Sequence, residues 1–301
     1  MGLLKQVTKG KVKKPILAII YGPDGVGKST FGANAPNAIF LGTEDGTANL
    51  DVARFPKPKD FNDVITAVKE LITEQHNYKT LVIDSLDWLE TMVHSDICSR
   101  DGSKTINQAQ GGYGNGIEVA LSSWRQLRDL LTELREKRQM NIILIAHSQV
   151  KDFHDPMQNM AYSQFLLKLN DKTAAMWREY VDAVLFARFE VTAVKEKSDR
   201  KAKTFGDGSR VIYTEERPGF KAKNRLDLPF QLPLSWQAFI EAAEKGEPDS
   251  PESILKELEE LAPKIQNEGT REKMKEAVKK AGSDTVKLSQ IRNHARTIAE
   301  L

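Results

Sequence analysis

Residues 21–30 read YGPDGVGKST and follow the uninterrupted apolar run PILAII at residues 15–20. Gly22 and Gly27 enclose four residues, and Lys28 and Ser29 come next. A short, continuously apolar run is a fully buried strand of a parallel sheet. A chain that leaves such a strand through glycines and then enters a helix turns backbone N–H groups and the positive helix end toward an anion, so this stretch is a phosphate cradle. Gly22, Gly25 and Gly27 allow backbone angles closed to other residues. With Pro23, Asp24, Val26 and Thr30 they make the expected binding loop. In it Lys28 reaches the β and γ phosphates of a nucleotide, and the Ser29 hydroxyl ligates Mg2+.

The pattern around the loop fixes the fold class. The helix from Lys28 must end before Pro36. IFLGTE at residues 39–44 reads as the second strand, and Phe61, Val64, Ile65, Val68, Leu71 and Ile72 share one helix face. TLVIDS at 80–85 is the third strand. QGGYGNG at 110–116 is a glycine-rich loop before a long helix that carries Ile117, Leu121, Trp124, Leu127, Leu131 and Leu134. NIILIAHSQ at 141–149 and VDAVLFARFEV at 181–191 are the fourth and fifth strands. Strands alternating with helices mean an α/β fold: a mostly parallel central sheet flanked by helices. From residue 205 two short alternating segments joined by Pro218 and Gly219 suggest a hairpin. Beyond a polar hinge at 244–253, Ser250 as N-cap and Pro251 as first helical residue open a small helical domain. The expected division is a basic lead at 1–14, a core at 15–246 and a helical domain at 247–301.

The 301 residues carry a net charge of +2, 40% hydrophobic and 29% charged side chains, and a single cysteine, Cys98. Such a balance does not mark an overall nucleic-acid binder, so any DNA surface must be local: KGKVKK at 9–14, KSDRKAK at 197–203 or KAKNR at 221–225. One cysteine excludes a disulfide framework and a CxxC metal clamp. Neither a secretory signal nor an apolar run of membrane-spanning length is present in the sequence, so a cytoplasmic protein with no membrane partner is expected.

A magnesium ion beside bound phosphates needs a carboxylate at the end of a neighbouring buried strand, and Asp84 supplies it. Asp84 leads into Ser-Leu-Asp instead of a GTPase DxxG switch, and NRLD at 224–227 has Arg where a guanine-reading motif has Lys. ATP is therefore the expected nucleotide. Hydrolysis also needs a carboxylate to orient and deprotonate water. Ser85 stands where many ring ATPases place it, so Glu44 at the end of the second strand is the candidate base, with Asp45 the weaker one.

Together GPDGVGKST, VIDSLDWL and FLGTEDG resemble the Walker A loop, Walker B strand and catalytic-Glu strand end of RecA-like P-loop ATPases. The order of these motifs with GGYGNG and ILIAHSQ resembles more narrowly the phage-encoded, AAA-type nucleotide-binding proteins of the Sak-type single-strand annealing group, over residues 15 to 230. The resemblance implies an ATPase that assembles as a homo-oligomer on single-stranded DNA in recombination or annealing. It also implies that His147, Ser148 or Gln149 senses the γ phosphate at the end of the fourth strand. Lys221, Lys223 and Arg225 alternate at strand spacing and resemble the family's basic pair that enters a neighbouring subunit's ATP site; a basic edge strand that blocks aggregation is the competing reading. DNA contacts are expected at Tyr113 and in the connection 150–180, where Lys151, His154, Lys168, Lys172 and Arg178 interleave with Phe153, Tyr162 and Phe165. Two other functions fit the same sequence: an ATP-gated adaptor whose C-terminal helices recruit a single-strand-binding or replication protein, and a helicase-type motor.

Overall fold

The computed structural model describes residues 7, 14–44, 46–154, 161–190, 192–194, 203–205, 208–245, 251–265, 267–284, 287–288, 291–292, 294–295 and 298. Most of the basic lead, Asp45, most of KSDRKAK, residues 246–250 of the polar hinge and with them the Ser250 cap lie outside the described residues. The chain divides into two compact units, Met1–Arg225 with Gln231–Phe239, and Leu226–Phe230 with Ile240–Leu301.

The first unit is the expected α/β fold. Its strands are β1 (Leu17–Gly22), β2 (Ala38–Gly42), β3 (Ala53–Arg54), β4 (Thr80–Asp84), β5 (Asn141–Phe153), β6 (Tyr162–Leu167), β7 (Ala183–Phe189), β8 (Thr192–Val194), β9 (Lys203–Phe205), β10 (Arg210–Tyr213), β11 (Lys223–Asn224) and β12 (Gln231–Pro233). The main sheet runs β12-β10-β7-β1-β5-β4-β2-β3, with β6 added to β5 and β11 to β7; β8 and β9 pair separately. The links β7-β1-β5-β4-β2-β3 are parallel. Every residue of β1 and β4 is buried, as continuous apolar runs covered on both faces require.

The helices of this unit are α1 (Lys28–Ala33), α2 (Phe61–Thr73), α3 (Leu86–Asp101), α4 (Asn115–Arg138) and α5 (Asp171–Tyr180); α6 (Trp236–Lys245) follows β12. Asp60 caps α2 by accepting from the Asp63 N–H. On α4 the Leu/Trp stripe is buried, and Trp124 meets Trp177 of α5 edge-on at 5.8 Å. Phe31 of α1 packs against Phe239 at 5.7 Å, which anchors the helix behind the phosphate loop.

Two local expectations change. A tight turn does form at Pro218 and Gly219, where Arg217 and Phe220 exchange both backbone hydrogen bonds, but the pairing stops at that bridge; β10 and β11 each run antiparallel to β7 instead. Strands of four and two residues gain more from the open edge of a central, buried strand than from one another. The connection after residue 149 is not a plain loop either, because β5 continues to Phe153 and pairs with β6 from Ser148↔Leu167 to Phe153↔Tyr162. The second unit contains α7 (Pro251–Leu261) and α8 (Glu268–Ala281) around a core of Ile254, Leu258, Ile265, Ala281, Leu288 and Ala295. No helix among the described residues is long and apolar enough to cross a membrane.

Candidate nucleotide site

Parallel strands deliver their C-terminal ends to one edge of the sheet, and register decides which residues meet there. Here Gly22 stands beside His147, and Gly42 beside Asp84. Gly22 is forced: a Cβ on it would lie 2.1 Å from the Ala187 carbonyl oxygen of β7. Gly27, with φ 106°, passes the chain from loop to helix in a conformation that side chains oppose.

The loop closes on Lys28, whose buried ammonium donates to the carbonyls of Gly22 at 3.0 Å and Pro23 at 2.9 Å. Burial lowers its pKa, and the charges of Asp24, Asp84, Asp87 and Glu44 oppose that shift. One residue on, the Ser29 hydroxyl donates to Asp84 Oδ2 at 2.6 Å. Burial raises the Asp84 pKa, while the Ser29 hydrogen bond and Lys28 lower it. A hydroxyl and a carboxylate meeting at one corner are the hard oxygen donors that Mg2+ takes alongside substrate phosphates, so the residues fit the ion the sequence implies. A cavity of about 330 Å3 lies over the loop, lined among others by Asp24, Gly27, Lys28, Ser29, Thr30, Glu44, Asp84, His147 and Arg210.

Glu44 is fixed by its neighbour. Thr43 Oγ1 donates to the Ser85 carbonyl at 2.9 Å and accepts from the Ser85 N–H at 2.8 Å, while the Thr43 N–H donates to the Asp84 carbonyl at 2.8 Å. The end of β2 is thereby clamped to the end of β4, and Glu44 emerges into the cavity beside Asp84. Burial raises the Glu44 pKa, opposed by His147 and by the Trp88 indole N–H that donates to it.

His147 is held by Asp87, a residue the sequence reading passed over. Asp87 Oδ1 accepts the His147 backbone N–H at 3.0 Å, and Oδ2 lies 2.9 Å from Nδ1. The other ring nitrogen, Nε2, points to Asp24 Oδ1 at 3.3 Å and Glu44 Oε1 at 3.9 Å. The Asp87 hydrogen bond raises the His147 pKa, and burial works against it. Gln149 is elsewhere: its amide donates to the carbonyls of Leu167 at 2.9 Å and Leu169 at 3.3 Å, and it does not line the cavity. Ser148 begins the pairing with β6.

The three basic residues at 221–225 have separate fates. Lys223 donates to the carbonyls of Arg178, Glu179 and Val181, each at 2.7 Å, which satisfies the C-terminal end of α5. Lys221 pairs with Glu216 and lies 5.7 Å from the centre of the Phe153 ring. Arg225 is exposed, and its backbone N–H donates to the Asp182 carbonyl. Arg210, also passed over, does line the cavity. Nothing in its own neighbourhood of the sequence marks it, because its place depends on β10 docking beside β7.

A family model described as an AAA domain matches residues 14–226, a span that contains every residue of this cavity. The chain belongs to the AAA domain family. In this AAA domain the glycine loop, the Ser29–Asp84 pair, Glu44 and His147 line one cavity. No curated protein matches the chain. Among solved structures it is similar to the crystal structure of the RadB recombinase, with 14% identity, 75% of this chain and 90% of that chain covered, and a TM-score of 0.41.

Proposed function

We propose that this AAA domain protein is a Mg2+-dependent ATPase that acts as a homo-oligomer on single-stranded DNA, in recombination or annealing of the Sak type. The observation that carries the reading is the convergence of Lys28, the Ser29–Asp84 pair, Glu44 and His147 on one cavity, from which β5 continues unbroken into an exposed hairpin.

The loop amides cradle the α and β phosphates, Lys28 reaches the β and γ phosphates, and Ser29 and Asp84 would hold the metal. Bound Mg2+ supplies charge neutralisation and orientation of the phosphates. Glu44 orients a water and takes its proton while the water oxygen bonds to the γ phosphorus. The bond to the β–γ bridging oxygen breaks, and its electron pair stays on ADP. A carboxylate whose pKa is raised accepts that proton more readily than an ordinary one, which suits Glu44 to the task. His147 meets the γ phosphate through Nε2.

Phe153 and Tyr162, with ring centroids 5.5 Å apart, pair across the β5–β6 hairpin, with the Lys221 ammonium near Phe153. Aromatic faces beside a cation suit single-stranded bases and phosphates. Tyr113, fully exposed on the glycine loop, is a second stacking surface. Steady-state ATP turnover with and without a poly-dT oligonucleotide, for the wild type and Glu44→Gln, tests the proposal. Stimulation by DNA, lost in Glu44→Gln while nucleotide affinity is kept, is expected. Turnover that ignores DNA favours the ATP-gated adaptor, and a fully active Glu44→Gln removes Glu44 from the chemistry.

A further inference from the structure

We infer that Arg210 is a phosphate clamp acting within its own subunit, on the leaving-group side of the nucleotide; this rests on the ATPase reading above. Arg210 opens β10 and stands in register with Phe189 of β7. Its guanidinium lies over the Phe189 ring, 5.4 Å from the centroid. The ring holds the planar cation by its electron-rich face and leaves the N–H fork undonated.

The fork is aimed at the loop. One terminal nitrogen is 2.9 Å from where a Cβ on Gly27 would stand, and Leu234 packs beside it at 3.5 Å from the same point. The Arg210 side chain makes no hydrogen bond or ion pair among the described residues, while its backbone carbonyl accepts from the Leu234 N–H. The acid next to Phe189, Glu190, accepts instead from Ser209 at 3.1 Å and Gln231 at 3.3 Å. An exposed cation that lines a phosphate cavity and is spared by an acid one position away is placed for an anion that arrives from solution.

The chemistry follows from position. Amides of this loop type cradle the α and β phosphates. As the bond to the γ phosphorus breaks, negative charge grows on the β phosphate and the bridging oxygen, where a bidentate guanidinium is strongest. Lys223, in contrast, is committed to three carbonyls of its own chain and Lys221 to Glu216. The cation beside the leaving group is therefore supplied in cis.

The test uses the full chain with Arg210→Gln, Arg210→Lys and Phe189→Leu, with thermal melting to confirm that each is folded. Calorimetric titration with Mg-ADP reads the clamp without turnover. Arg210→Gln is expected to weaken Mg-ADP roughly tenfold to a hundredfold, the worth of a charged hydrogen bond. It should lower kcat by about 10²-fold. Arg210→Lys recovers part of both, and Phe189→Leu shifts both in the same direction by less. Mixing Arg210→Gln with Lys28→Ala gives no recovery of turnover.

Unchanged Mg-ADP affinity and kcat in a folded Arg210→Gln overturn the inference, and recovery on mixing overturns its cis character. A melting loss in Arg210→Gln without a change in affinity makes the pair with Phe189 sheet packing only. If the wild type fails to bind Mg-ADP or binds it no better than Lys28→Ala, the ATPase reading itself has failed, which is a separate result.

Discussion

Replacing Thr43 by Val keeps the shape of a side chain that is only 2% exposed and deletes its hydroxyl. Two buried hydrogen bonds vanish, the donation to the Ser85 carbonyl at 2.9 Å and the acceptance from the Ser85 N–H at 2.8 Å. Their losses are unequal. The Ser85 carbonyl still accepts from the Leu89 N–H at 3.0 Å, at the start of α3, so it keeps a partner. The Ser85 N–H is left buried and unpaired, which costs roughly 1–3 kcal/mol, and the lost donation adds about 0.5–1.5 kcal/mol. A total near 3 kcal/mol lowers the melting temperature by about 6–12 °C for a unit of this size. Turnover should fall as well, because Thr43 is what holds Glu44 against the end of β4. Thr43→Ser, which restores the hydroxyl, is expected to recover most of both. Thermal unfolding and steady-state ATP turnover measure the two effects. A Thr43→Val protein that melts within 1–2 °C of the wild type, where a surface substitution would leave it, and turns over normally refutes the clamp.

Other outcomes follow from the same geometry. Asp87→Asn removes the interaction that raises the His147 pKa. Imidazole then loses its proton at lower pH, so the alkaline limb of the kcat profile moves toward acid; the acid limb, set by Glu44, moves the same way by less, because the Asp87 charge also raises the Glu44 pKa, and an unmoved alkaline limb contradicts the assignment. Phe153→Ala should weaken binding of a labelled oligo-dT by roughly five- to a hundredfold, the worth of one stacked base, with basal ATP turnover kept; equal affinities in a titration at fixed salt remove the hairpin from the DNA surface. Gly22→Ala drives a methyl into the Ala187 carbonyl and should lose soluble, folded protein; a variant that melts like the wild type shows the contact to be unimportant.

What the sequence made legible and what it hid separate along physical lines. Strands buried on both faces announce themselves as apolar runs, and the phosphate loop carries its own spacing, so β1, β4 and the Lys28–Ser29 placement were readable. The start and full extent of α3 are hard to read from the pattern ahead of Cys98, because its buried face holds Asp87 and Glu90 among Leu86, Leu89, Val93 and Ile97. Those acids interrupt the apolar stripe for a reason: one holds His147, and the other accepts the Asn170 N–H at 2.9 Å. The β5–β6 ribbon lacks a clean alternation because both of its faces are partly exposed. Arg210 and the helix-capping role of Lys223 depend on which stretch of the open edge of β7 each short strand finds, and local pattern carries no information on that choice.

The unbroken course of β5 has a mechanical corollary. From His147 to Phe153 the strand runs about 20 Å without a turn or a proline, and its flanking ladder makes it stiff along its length. Tension applied at the tip of the ribbon, by a polymer pulled taut across it, would arrive at the imidazole as a tilt of the whole rod. On the proposed reading, in which a single strand seats on this ribbon, the rate of nucleotide turnover should vary with force on that strand.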